Sequence, residues 1–148
     1  MGTRSAIGIK HGDVVKAIYC HYDGYPEYMG RVLTLYYQDS IRVNRLISMG
    51  DMSSIGAAIG SKHAFNDRSN YLDNGIAEQC TFYARDRGEE NVEFRTFQSE
   101  HDFLDNFNAG EEFHYLFKDG AWYYSENGNE FEELTPNLVM TLLEKQPA

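Results

Sequence analysis

Residues Ile18–Tyr28 read IYCHYDGYPEY, and how this stretch is parsed decides the fold. Ile18, Tyr19 and Cys20 continue a β-branched and aromatic run that begins at Val14, whereas Asp23, Gly24 and Pro26 are residues that end strands. Proline lacks an N–H and has a fixed φ, so it suits the first position of a helix, where that N–H would have no partner. Met29, Val32, Leu33 and Tyr36 then recur at helical spacing. The stretch is a strand that turns a corner into a helix.

Upstream of the corner, Ala6–Ile9 and Val14–Tyr22 read as a β-hairpin around the turn Lys10–Asp13. Downstream, Ser40 is the expected cap of a second helix through Val43, Leu46 and Ile47, which stops at Gly50 in a left-handed conformation. From Asp51 to Glu78 the periodicity fades into Gly, Ser, Asn and Asp, so residues 51–78 are expected to be a long loop or a lid. Gln79–Arg87 and Val92–Phe97 read as two strands joined by GEEN. Ser99 with Asp102 approximates a capping box before Phe103, Leu104 and Phe107. Asp119-Gly120 is the two-residue turn of a hairpin in FHYLFKDGAWYYS, and Thr135 with Pro136 opens a final helix carrying Leu138, Val139, Leu142 and Leu143. Strands interspersed with helices and joined by hairpins predict an α+β fold. The expectation is a single domain over residues 1–148, with a mainly antiparallel sheet of about five to six strands and about three to four helices.

Composition narrows the function classes. Thirteen basic residues against 23 acidic ones give a formal charge of −10, which repels a phosphate backbone and argues against direct DNA binding. Cys20 and Cys80 each sit in an apolar run, where a free thiol behaves as a small hydrophobe, so a reducing, cytosolic setting is expected. No apolar run approaches the roughly 18 residues of a membrane span. The opening MGTRSA fails as a myristoylation signal because Ala6 stands where Ser or Thr is required. Eleven tyrosines are more than a core alone accommodates, since a buried phenol needs a hydrogen-bond partner, so some are expected to line a surface.

Several residue groups are candidates for chemistry. On a strand Cys20 and His21 point to opposite faces while His21 and Asp23 share one, so the pair available for acid–base work is His21 with Asp23. The five histidines lack the dense spacings of a zinc site, and no metal or other cofactor is expected. GAAIGSKH, from Gly56, departs from a phosphate loop in both glycine spacing and the order of Ser61 and Lys62. Arg85 and Arg87, read on one strand face with Thr81 and Tyr83, and Arg95 across the hairpin, make an anion-contact surface or a set of cross-strand ion pairs.

Thr3–Ile9, TRSAIGI, together with Ile18–Tyr28 resembles a family of small bacteriophage and prophage proteins. These open with a Ser/Thr-Arg-Ser segment and carry a Cys-His-Trp-Asp-Gly-Tyr-Pro signature before an amphipathic helix. Tyr22 stands here in the tryptophan's place, and Gly2 replaces a Ser or Thr. The resemblance extends to about Gly56 and brings no activity that transfers residue by residue. It implies a phage accessory protein, of a kind that often counters host defences in the host cell cytosol. The leading expectation is stoichiometric capture of a nucleotide-like signal or a host defence protein. Arg4, His21, Asp23, Tyr25, Tyr28, Arg85 and Arg87 form the expected contact surface, and exposed sheet edges favour a homo-oligomer. The alternatives are a small hydrolase or nucleotide-modifying enzyme using His21 and Asp23, and a structural phage component.

Overall fold

The computed structural model describes residues 2–66, 70–135 and 137–140. β1 (Ser5–His11) and β2 (Val14–Cys20) pair from Ser5 opposite Cys20 to His11 opposite Val14. Their turn uses Gly12 at φ +61°, a conformation that glycine adopts without cost. β2 leads into α1 (Pro26–Tyr36), which has Pro26 at its first turn. α2 (Ser40–Ser48) follows and is capped by Asp39, not Ser40, with the Asp39 carboxylate accepting from the Arg42 N–H at 2.8 Å. After β3 (Met52–Ser54) and a long connection come β4 (Thr81–Phe82), α3 (Tyr83–Arg87), β5 (Arg95–Phe97) and α4 (Glu100–Asn106). Ser99 caps α4 by accepting from the Asp102 N–H. β6 (Phe113–Lys118) and β7 (Ala121–Glu126) form the second hairpin, with Asp119 and Gly120 both at positive φ as a two-residue turn requires. β8 (Glu132–Glu133) pairs with β7, and residues 137–140 are helical, with the Leu138 N–H on the Thr135 hydroxyl. Leu142 and Leu143 lie outside the described residues.

The mainly antiparallel sheet of five to six strands is not what forms. One mixed sheet holds eight strands in the order β4-β3-β2-β1-β6-β7-β8, with β5 also beside β2, and the described residues include five helices. β1 runs parallel to β6, and β2 runs parallel to β3. A hairpin announces itself locally, whereas a parallel pair needs a long crossover and joins residues distant in sequence. Here α1 and α2 are the crossover from β2 to β3. β3, β4 and β8 are two or three residues long, too short for an alternating pattern.

The strand expected over Gln79–Arg87 is also corrected. Only Thr81 and Phe82 are extended there, and Tyr83–Arg87 is a helix that ends on Gly88 at φ +72°. The Asp86 carboxylate reaches back to the Phe82 N–H at 2.8 Å and draws the chain into that turn. β5 pairs with β2, so no 79–97 hairpin exists and Arg85 and Arg87 are not strand neighbours of Thr81.

Side chains alternate across the sheet and fill two cores. Ile7, Ile9, Ile18, Cys20, Tyr115 and Phe117 face α1 and α2, where Met29, Leu33, Val43 and Leu46 meet them. Ala6, Val15, Ala17 and Leu116 face the opposite way and are covered by Phe97, Phe103 and Phe107. Cys20 and Cys80 are free thiols buried in the first core, where burial pushes both up from their ordinary titration range. The 51–78 connection joins this core through Ile55, Ala57 and Ile76, and its ends lie side by side through the Ala57 N–H to Ala77 O and Cys80 N–H to Ala58 O bonds.

Candidate functional site

The corner is pinned from three sides. The Gly24 N–H donates to the Thr3 carbonyl at 2.8 Å, and the buried Tyr115 hydroxyl donates to the Gly24 carbonyl at 2.6 Å. A Cβ at Gly24 would stand 2.7 Å from Ser5 Cβ and 2.8 Å from the Thr3 oxygen, so only glycine fits. The Thr-Arg-Ser segment and the Asp-Gly-Tyr-Pro turn are therefore parts of one packed unit. Asp23 takes φ +59°, a left-handed conformation that aspartate tolerates better than most residues.

Behind this corner lies a cleft of about 140 Å³. The corner contributes Tyr22, Asp23 and Tyr28; the paired strands β3 and β4 contribute Ser54 and Thr81, which are register partners. Asn70, Tyr71, Ala77 and Gln79 close the other side. Tyr28 ties the two walls, its hydroxyl donating to the Ile55 carbonyl at 2.8 Å and accepting from the Ala77 N–H at 3.1 Å. Tyr22 and Tyr71 are 36% and 58% exposed, so each keeps part of its surface open to solvent. Among the described residues, Asp23 is the one charged side chain of this lining. Hydroxyls, amides, phenols and a single carboxylate suit a neutral or cationic polar molecule far better than a phosphate.

The expected site residues divide. Asp23 and Tyr28 reach the cleft. Tyr25 caps α1 and faces a second, more open cleft of about 490 Å³ with Glu27, Glu112, Tyr124 and Glu126. Burial raises the Tyr25 phenol, helped by the charge of Asp23 and a hydrogen bond to it. His21 stands outside the lining, its Nδ1 2.7 Å from the Tyr19 hydroxyl and its ring edge-on to Tyr22. Arg85 is committed inward, donating to Asp86, to the Ile59 carbonyl at 2.8 Å and to the Cys80 carbonyl at 3.0 Å. Arg87 pairs with Glu89 and stands over both the Phe65 and Tyr83 rings. The exposed Arg4 lies beside Gly110. These arginines do not converge on the cleft.

A group that the sequence did not announce stands against the cleft floor. His63 Nε2 is 3.1 Å from the Thr81 hydroxyl, and its Nδ1 is 2.9 Å from the Ser61 carbonyl and 3.6 Å from Asp86 Oδ1. Asp86 is buried and receives four bonds, from Arg85 Nε and Nη2 and from the N–H groups of Phe82 and His63. Burial alone would raise its carboxyl, but these donors outweigh burial and hold it below the usual carboxylate range. His63 falls in a glycine-rich loop and Thr81 some residues later, with no spacing that marks them as partners.

No family model, curated protein or solved structure matches the chain. Among the described residues no helix is long and apolar enough to cross a membrane, and no three His, Cys, Asp or Glu side chains stand together as a metal set.

Proposed function

We propose that the protein is a phage accessory protein that captures a small nucleoside-like molecule in the cleft behind the corner, in the cytosol of the host cell. One observation carries this: a cleft with two partly exposed tyrosine rings, Tyr22 and Tyr71, over a floor of paired hydroxyls and side-chain amides. A base or sugar offers flat or hydroxylated surfaces that stack on phenols and exchange hydrogen bonds with Asn, Gln, Ser and Thr. The carboxylate of Asp23 and the overall charge of −10 favour a ligand whose bound part is uncharged, with any phosphate left in solvent. The resemblance of the Thr3–Ile9 and Ile18–Tyr28 segments to phage proteins supports the setting.

Titration calorimetry with free nucleosides tests the reading, together with mass spectrometry of what co-purifies. The expected result is one equivalent bound and recovered unchanged. Tyr71→Ala should weaken binding roughly 10-fold through lost stacking. Equal affinity in wild type, Tyr71→Ala and Asp23→Asn would place the ligand elsewhere and overturn the proposal.

A further inference from the structure

Thr81 is among the residues that line the cleft, it is 2% exposed, and its hydroxyl is paired with an imidazole nitrogen. The ring's tautomer follows from its partners. A backbone carbonyl can only accept, so the 2.9 Å contact of His63 Nδ1 with the Ser61 oxygen puts the proton on Nδ1. In the neutral ring Nε2 then carries the lone pair, and the Thr81 hydroxyl donates to it at 3.1 Å. That is the arrangement of a weak nucleophile beside a general base. Asp86 stands behind the ring: its carboxylate, side chain fully buried, lies 3.6 Å from Nδ1, on the far side from the nitrogen that would take the Thr81 proton. Asp86 is itself fixed by Arg85 and by the His63 N–H, so the loop bearing the imidazole and the helix bearing the carboxylate are held in one geometry.

We propose that Thr81 is an acyl-accepting nucleophile with His63 as its general base, and that the cleft takes a small polar ester or another activated acyl compound. Thr81 Oγ bonds to the acyl carbon while its proton passes to His63 Nε2. Asn70 and Gln79 line the same cleft and carry amide N–H groups, the donor type an oxyanion needs, and Gln79 is held with its Oε1 on the Ser61 N–H at 3.2 Å. Collapse breaks the bond to the leaving group, which departs with its electron pair and takes the proton from Nε2. Water then cleaves the Thr81 ester by the reverse proton route. A phosphoryl donor is disfavoured, because Asp23 in the lining and the charge of −10 both repel it. Ligands without an acyl group are held and released unchanged, so this chemistry goes beyond the capture reading and does not depend on it.

The test uses p-nitrophenyl acetate on the full chain, with intact mass and peptide mapping. The expected product is one acetyl group on Thr81, removed by neutral hydroxylamine as an ester is. Thr81→Ser should keep the adduct and Thr81→Val should lose it. His63→Ala should slow its formation roughly 100-fold, and added imidazole should restore part of the rate, an effect that a purely structural histidine would not show. Acetylation confined to lysines, or a Thr81 adduct whose rate ignores His63, would overturn the proposal. Mapping the wild-type adduct decides the matter even if Thr81→Val does not fold.

Discussion

Asp51 and Asp86 are both buried aspartates beside an arginine, and their surroundings shift the two carboxyls in opposite directions. Asp51 accepts from the Tyr19 N–H at 2.8 Å and from two nitrogens of Arg95 at 3.1 and 3.3 Å. That guanidinium is 42% exposed and shares its charge with water, so burial dominates and the Asp51 carboxyl is raised. Asp86 has one more donor, and its arginine is only 13% exposed. Burial still pushes its carboxyl up, but the bonds from Arg85, Phe82 and His63 win. An arginine neighbour does not by itself decide the state of a buried carboxylate; the balance of its burial against the number and dryness of its donors does.

The contrast can be broken by substitution. Asp86→Ala leaves Arg85 and two backbone N–H groups buried without their acceptor, and should cost about 3 kcal/mol in urea unfolding. A loss near zero would show that α3 does not depend on this carboxylate. Asp51→Asn keeps an acceptor for the Tyr19 N–H and removes a desolvated charge, so its effect should stay within about 1 kcal/mol. Glu89→Gln removes the partner of an exposed arginine, Arg87, and should change stability by no more than about 0.5 kcal/mol.

Acid titration sharpens the same contrast. The lowered Asp86 contributes stability that is present above its unfolded-state value and is lost as pH falls through the folded one. The raised Asp51 does the reverse: its contribution is present below its unfolded-state value and is lost as pH rises through the folded one. Unfolding midpoints measured down the acid range should therefore fall less steeply in Asp86→Asn than in wild type, and more steeply in Asp51→Asn. Identical slopes in the three proteins would refute the assignment.

What could be read from the sequence was local. The corner at Pro26, the Asp119-Gly120 turn, the Ser99 cap and the first and last hairpins depend on neighbours a few residues apart, and each formed, whereas the equally local hairpin expected over 79–97 did not. The parallel pairs could not be read, because nothing near Ile7 points to Tyr115, its partner over one hundred positions away. Of the site, Asp23 and Tyr28 were visible as a polar, aromatic turn. Thr81, His63 and Asp86 were not, since their association depends on a loop folding back and on Asp86 bending its own segment into α3 rather than a strand.

The two interior thiols offer a natural clock. Cys20 sits at the end of a central strand and Cys80 beside the sheet's margin, and neither meets solvent in the closed molecule. A thiol reagent can reach them only during transient opening, so their separate labelling rates time the breathing of the middle and the rim of one sheet. The reagent reads both without any residue being changed.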